Sequence, residues 1–256
     1  MDIAVLVKFV PDLVEELEID EDTGMLDRAF LRLMPNELDE HALEQALLLK
    51  ERHGGTVTVF TLDTGDVDET LFTAIAKGAD RVFKIVGEGF DEGASNHRQA
   101  AVFQEALQGT SWDLILAGTQ AVDDLDGFVG ALLAQRLELP YIGYLTKVVL
   151  QDGGALVQKE YPGGLNADIE VACPAVLGIQ AAEQPPRYVV TSKVMEAMKS
   201  ATIEEIEAPE VEIAGEIPLA GMSLPEAGAQ AEMIEGDVAD VAESLVKLLR
   251  ERGVVA

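Results

Sequence analysis

Cysteine is nearly absent from this chain of 256 residues, with Cys173 the sole example. One thiol forms no internal disulfide, which fits a reducing compartment such as the cytoplasm of a bacterium or archaeon. It lies in the apolar run EVACPAVLGI with no histidine nearby in sequence, the setting of a buried structural thiol rather than a nucleophile. Histidine is also scarce: His41, His53 and His97 show no metal-ligand spacing. The motifs G-x-x-x-x-G-K-[ST], G-x-S-x-G and C-x-x-C are missing. No catalytic residue and no metal ligand can be nominated. No stretch reaches the roughly twenty apolar residues of a transmembrane helix. MDIAVLVKFVPD, with an acid at position 2, lacks the basic start and cleavage site of a signal peptide. These absences predict a soluble protein without direct membrane insertion.

Positive charge is the other shortage. Against 18 Lys and Arg stand 47 Asp and Glu, a formal charge of -29 at pH 7. Such an excess repels phosphate backbones and anionic headgroups, which excludes nucleic acid as a direct partner. Hydrophobic residues make up 48% of the chain, enough for one sizeable core with an appendage.

What is present alternates. DIAVLVKFV (2–10) reads as a strand, and NELDEHALEQALLLKERH (36–53) as a helix with Leu38, Ala42, Ala46 and Leu49 at helical spacing. TVTVFTLD, RVFKIV and DLILAG continue the strands, while 65–80, ended by Gly78, and 98–108 continue the helices. GEGFDEG (87–93) has the glycines but not the spacing of a nucleotide loop. The alternation predicts an α/β fold, a doubly wound and mostly parallel sheet with helices on both faces. The insertion 11–35 predicts a hairpin around Asp-Thr-Gly. After a helix at about 126–137, the runs PYIGYLTKVVL, ALVQKEY and NADIEVACPAVLGIQ, separated by QDGG and PGG, predict an antiparallel extension. The nucleotide-binding α/β domain then spans 1–184. Residues 200–235, with Pro209, Pro218 and Pro225, show no compact pattern and are read as disordered or laid on another chain. The amphipathic helix 236–253, with Val238, Val241, Leu245, Leu248 and Leu249 on one side, docks on a partner or packs back on its own domain.

In a doubly wound sheet, ligands lie outside the carboxyl ends of the strands where the chain order reverses. The candidates are VKFVPD, TLDTGD, PNELDE and LAGTQAVDDLDGFVG. Asn36 is placed to cap a helix, with Asp39 partly mimicking a capping box, or to touch a ligand. Asp123, Asp124 and Asp126 either cap the following helix or bind ribose hydroxyls, while Gly118, Gly127 and Gly130 let backbone amides approach a phosphate. Lys8, the one cation at this rim, reads as closing the end of a strand.

Five segments in this order and spacing make the chain similar to the β subunits of electron transfer flavoproteins: AVLVKFVPD, NELDEHALEQALLLKE, ETLFTAIAKGADR, LAGTQAVDDLDGFVGALLA and KEYPGGLNADIEVACPAVLGIQAAEQPPRYVV. The resemblance runs to about residue 200, with a weaker echo in the terminal helix. It implies a doubly wound domain holding AMP and pairing, as a heterodimer, with an α subunit that carries the redox-active FAD. It further implies electron transport from dehydrogenase donors to a quinone-linked oxidoreductase or similar acceptor, with this chain a carrier subunit rather than an enzyme. Carried over, the AMP contacts fall on Leu6, on Asn36, Glu37, Leu38 and Asp39, and on Leu62. They continue through Gly118, Thr119, Gln120, Ala121, Val122, Asp123, Asp124, Leu125, Asp126, Gly127, Phe128 and Val129. Glu160 matches a position facing the flavin of the α subunit.

The resemblance assigns 185–200 as the partner-recognition loop, with Arg187, Thr191, Val194 and Met195 in it, and 201–256 as an arm and helix docking on the α subunit. Two departures stand out. Thr191 takes the place of a leucine anchor, in a loop with few lysines, which weighs against an acyl-CoA dehydrogenase donor. DDLDGFVG matches neither D-D-D-x-N-Q-T-G of AMP-binding members nor D-G-D-T-A-Q-V-G of electron-bifurcating members, in which a second FAD replaces the AMP. AMP is the favoured nucleotide and a second FAD the alternative. A stand-alone nucleotide-binding enzyme or sensor is the rival from another class.

Overall fold

The computed structural model describes every residue except 29, 30, 91, 92, 126, 212, 214, 216, 217, 226, 227, 229, 230, 232 and 256. Its first strand, β1 (Asp2–Val7), splits its branched side chains between two cores. Ile3, Val5 and Val7 point to one face of the sheet, and Ala4 and Leu6 to the other. Such a strand is stable only in the middle of a sheet covered on both sides. It pairs in parallel with β4 (Thr56–Leu62) on one edge and β6 (Leu114–Gly118) on the other. Helices α1 (Glu37–His53) and α2 (Asp68–Lys77) add Leu43, Leu47, Leu71 and Ala74 to the first core. On the opposite face, α3 (Asn96–Ala106) and α4 (Val129–Leu137) bring Val102, Phe103, Leu133 and Ala134 to the second.

The small ribbon of β2 (Phe9–Pro11) and β3 (Leu33–Pro35) precedes α1, and β5 (Arg81–Val86) flanks β4. Beyond β6 come β10 (Ala175–Ile179), β7 (Tyr141–Gln151), β8 (Gly154–Tyr161) and β9 (Leu165–Ala172). With β11 (Glu204–Glu207) on the far edge, the sheet order is β11-β5-β4-β1-β6-β10-β7-β8-β9. The chain winds outward from β1 through β4 to β5, then returns to β6 on the other side of β1. The strand order therefore reverses beside the carboxyl ends of β1 and β6.

The doubly wound, mostly parallel sheet follows the sequence reading, with four differences. The first strand ends at Val7, not residue 10, because the Lys8 N–H is taken by Asp39 Oδ2 at 2.8 Å instead of a strand neighbour. The expected hairpin in 11–35 is short and irregular: around Asp-Thr-Gly it has the bridge of Ile19 to Leu26, with Asp20 Oδ1 accepting the N–H groups of Asp22 and Thr23, and regular antiparallel pairing returns only at its base, in the β2–β3 ribbon. The run NADIEVACPAVLGIQ is not wholly antiparallel. Its first part forms edge strand β9, while AVLGI, buried at every position, runs parallel between β6 and β7. A uniformly apolar pentapeptide has no face to offer water, so it goes to the interior.

The fourth difference concerns the region after residue 184. Helix α5 (Thr191–Ser200) packs Val194 and Ala197 inward beside α2, and β11 extends the sheet from within the stretch read as structureless. Its composition, EEIE, is that of an acidic loop. The basic side chains of β5 make it a strand: Arg81 binds Glu204 in two bonds of 2.8 Å, and Lys84 lies 3.1 Å from Glu205. Two compact units result, 1–221 and 222–256. The second contains α6 (Val238–Glu251), begun by Asp237, whose Oδ1 accepts the N–H groups of Ala239 and Asp240. Among the described residues, no helix is long and apolar enough to cross a membrane.

Leu116, fully buried on β6 between β1 and β10, and Leu165, exposed on β9, test this layering. Leu116→Ala is expected to lower the unfolding free energy in urea by about 2–5 kcal/mol. Leu165→Ala is expected to change it by less than about 0.5 kcal/mol.

Candidate functional site

At the carboxyl ends of β1 and β6 two backbone N–H groups run out of strand partners, those of Lys8 and Gly118. Both turn to one side chain, Asp39 in the first turn of α1, donating to its Oδ2 at 2.8 Å and its Oδ1 at 2.5 Å. A side chain on Gly118 would meet Asp39 Oδ1 at 2.7 Å and the Leu38 carbonyl carbon at 2.8 Å, so the approach requires glycine. Burial raises the Asp39 carboxyl from 3.8 to about 6, against the opposing hydrogen bonds from Lys8, Gly118 and Asn36 and the charge of Lys8. Asn36 occupies the N-cap position with extended backbone, but its side chain caps nothing. It donates to the Gln120 carbonyl at 3.0 Å instead.

Lys8 is the centre of a second knot. Its Nζ donates to Asn96 Oδ1 at 2.9 Å and Asp124 Oδ1 at 2.8 Å, and stands 2.7 Å from Asp123 Oδ1. The Asp123 contact is an ion pair by distance and lacks the angle of a hydrogen bond, so that oxygen, though buried, has no hydrogen-bond donor. Asp124 is held from all sides: Oδ1 also accepts Asn96 Nδ2 at 2.6 Å, and Oδ2 accepts the Ala121 N–H at 2.6 Å. Asn96 Nδ2 closes the loop by donating to the Gly127 carbonyl at 2.7 Å. Gly127 has φ +126, a backbone conformation suited to glycine, and α4 starts only at Val129 with Phe128 as N-cap. Asp123 and Asp124 therefore do not cap α4, which corrects the capping alternative. Asp126 lies outside the described residues.

A recess at this point is lined by Leu6, Lys8, Asn36, Asp39, Phe103, Ala117, Gly118, Gln120, Ala121, Asp124 and Val129. Eight of the residues expected from sequence thus meet at one place. Leu62 lies outside it and lines a neighbouring recess with Val7, Lys8, Arg28, Thr61, Thr64 and Asp123. Thr119 is spent elsewhere: its N–H donates to the Ile179 carbonyl at 3.0 Å, and its hydroxyl accepts the Tyr144 N–H at 2.9 Å. Glu37 is exposed, Leu38 half-buried, and Val122 and Leu125 stand at an exposed loop tip. Asn96 and Phe103 were not expected, and Ala117 lies in the candidate segment 116–130. Ser95, whose hydroxyl accepts the Arg98 N–H at 3.2 Å, is the signal that starts α3 at Asn96 and so brings that amide to the rim.

The more distant candidates separate from this crevice. Glu160 lies exposed near the end of β8, beside Lys159, whose ammonium is 5.4 Å from the ring centres of both Tyr144 and Tyr161. Arg187 is tied to α1 through Glu44 Oε1 at 2.8 Å and Glu51 Oε1 at 2.5 Å, and these carboxylates push its proton affinity up. Val194 faces inward, while Thr191 and Met195 are exposed on α5.

The family model described as electron transfer flavoprotein domain matches residues 24–211. The chain belongs to the electron transfer flavoprotein family. It is 30% identical over 263 residues to the electron transfer flavoprotein subunit beta of Methylophilus methylotrophus, covering 98% of each chain. The same subunit of Thermoanaerobacterium thermosaccharolyticum is 28% identical over 263 residues, with both chains fully covered. The caffeyl-CoA reductase-Etf complex subunit CarD of Acetobacterium woodii is 33% identical over 266 residues, again over the whole of both chains. The family is one of electron carriers, and membership makes the chain an electron-transfer subunit rather than an enzyme in its own right.

Asp39→Asn tests the clasp on the two strand ends. An amide offers one acceptor oxygen, so one buried N–H loses its partner, and stability at pH 7 is expected to fall by about 1–3 kcal/mol. The folded carboxyl near 6 binds its proton more tightly than an unfolded one at 3.8. Its contribution is therefore fullest below about pH 4 and is lost as pH rises through about 6. Urea titrations at several pH values should show wild type losing stability relative to Asp39→Asn across that window.

Proposed function

We propose that the chain is the β subunit of a heterodimeric electron transfer flavoprotein and that the crevice at the ends of β1 and β6 binds AMP. The observation that carries this is the convergence of Leu6, Asn36, Asp39, Gly118, Gln120, Ala121, Asp124 and Val129 on one recess at the reversal of strand order. The lining suits the group in kind, and the recess, which encloses about 20 Å³ in this structure, has to open to admit a base. Leu6, Phe103, Ala117 and Val129 offer apolar walls to a base, Asn36 and Asp39 are polar groups beside them, and Lys8 is a cation at the rim. Adenine and ribose carry no redox chemistry at biological potentials, so AMP is structural, and the electrons travel on the FAD of the α subunit.

In this reading the chain contributes orientation and exclusion of water rather than a reacting side chain. Asp39 and Gly118 set the floor of the nucleotide recess, and Glu160 on β8 faces the partner flavin. The exposed apolar residues Leu245, Leu248 and Leu249 of α6 meet the α subunit. The segment 187–199 is offered to dehydrogenase donors, and a quinone-linked oxidoreductase or similar acceptor takes the electrons on. Arg187, bound to Glu44 and Glu51, anchors that segment to α1 and leaves recognition to exposed residues such as Thr191 and Met195.

A second reading places FAD instead of AMP in this subunit. It is favoured by a cleft of about 740 Å³ lined by Phe9, Arg28, Arg32, Met34, Pro35, Thr64 and Gly65, which shares Phe9, Arg28 and Thr64 with the recess of Leu62. Its volume is in the range of cofactor sites.

Copurification with the α subunit, heat release and chromatography of the nucleotides separate the readings. One FAD and one AMP per heterodimer is the expected result. Two FAD would favour the second reading, and a stable lone chain without nucleotide would defeat both. Thr191→Leu is expected to speed reduction by an acyl-CoA dehydrogenase in a stopped-flow assay if the anchor of this loop has been lost, and to leave it unchanged if the loop serves another donor.

A further inference from the structure

Among the described residues, the span 188–203 makes no hydrogen bond or ion pair with the rest of the chain. Helix α5 lies in this span and buries only Val194 and Ala197, beside α2, while Ile203 is half-buried against the first core. The span therefore hangs from its two ends, and the ends are built differently. At the first, Glu44, 3% exposed, accepts the Arg187 N–H at 2.9 Å and the guanidinium Nε and Nη2 at 2.9 and 2.8 Å. Just before it, the Glu183 N–H donates to Gln45 Oε1 at 3.1 Å. Charge-assisted bonds to a buried carboxylate are strong, and salt screens them little. At the second end, β11 is an edge strand of four residues. Its side-chain ties are Arg81 with Glu204, 53% and 43% exposed, and Lys84 with the exposed Glu205. Pairs of this kind weaken as ionic strength rises.

From this asymmetry we infer that β11 is a salt-sensitive latch and Arg187 a fixed hinge, so that release of β11 from β5 frees α5 to swing away from α2 as one piece. The inference rests on the reading of 187–199 as the segment offered to donors and adds how that segment changes its reach. The cations of β5 do not depend on β11. Without it, Arg81 keeps the ring of Phe83 at 4.7 Å from its guanidinium carbon. Lys84 keeps Asp68 at 3.1 Å and Asp63 at 4.0 Å. The released glutamates pass into water, and a strand reading EEIE is repelled by the rest of a chain of net charge -29. Within β11 the apolar tie is Ile206, half-buried against the second core. A short strand with one apolar contact and exposed ion pairs belongs to the least stable part of a fold, where opening precedes global unfolding.

Hydrogen–deuterium exchange of the heterodimer, read by mass spectrometry, tests this in about 0.1 M and about 1 M KCl, between which the screening length shortens from about 10 to about 3 Å. Protection of 191–207 is expected to fall about tenfold with the added salt, while that of 114–118 in the sheet centre stays the same. Arg81→Gln and Glu204→Gln are each expected to show the low protection of 191–207 already in about 0.1 M KCl and to respond less to further salt. Arg81→Lys keeps the charge and is expected to keep most of the protection. If 191–207 responds neither to salt nor to these variants, or moves together with 114–118, the latch is wrong. The donor reading is checked separately by stopped-flow reduction with an acyl-CoA dehydrogenase. If exchange responds as expected but wild type and Arg81→Gln are reduced at the same rate, the latch stands and the role of 187–199 towards that dehydrogenase falls.

Discussion

A buried carboxylate holds the two central strands to the helix that covers them. Asp39 accepts the N–H groups of Lys8 and Gly118, the last donors of β1 and β6, and so does at the sheet end what the next strand residue would otherwise do. Everything at the crevice is measured from that contact. Because both donors meet one residue of α1, the start of this helix cannot shift along the sheet, and Asn36 is brought within reach of the Gln120 carbonyl. Gly118 makes the approach sterically possible, and burial raises the carboxyl to about 6 while the donors of Lys8, Gly118 and Asn36 keep it from rising further, so it stays ionised at neutral pH.

The acidic loop that follows β6 has a related explanation. Acids where a phosphate would be expected are a paradox only if they face the ligand. Asp124 is consumed internally, closing its own loop through Ala121 and neutralising Lys8 with help from Asn96. In a chain of net charge -29, a buried lysine has no shortage of partners, and the selection of Asp124 comes from the backbone amide it can reach at the same time. Local geometry, more than charge, decides which acid is structural.

Much of the scaffold was legible in the order of residues. The helical spacing of Ala42, Ala46 and Leu49 and the alternation in TVTVFTL act over one or two turns of chain, so α1 and β4 follow from neighbours alone. The direction of β10 did not, because an apolar pentapeptide carries no mark of which strands it joins. Nor did β11, which depends on Arg81 and Lys84 more than a hundred residues away. At the crevice, the strand-end segments were recognisable by pattern, whereas the Lys8 knot was not. Its members come from two loops and a helix, and the capping roles given to Asn36 and Asp124 were displaced by longer-range bonds that only the folded sheet brings into range.

Helix α1 has one end in each of two regions. Its first turn carries the Asp39 clasp, and further along the same rod Glu44 and Glu51 grip Arg187 at the threshold of α5. Asp39 and Glu51 are separated by about 18 Å at 1.5 Å per residue. A rod of this kind does not absorb displacement along its length. A small tilt imposed where the strands end would arrive at Arg187 as a sideways step, so the two regions share one beam and neither can be adjusted in isolation.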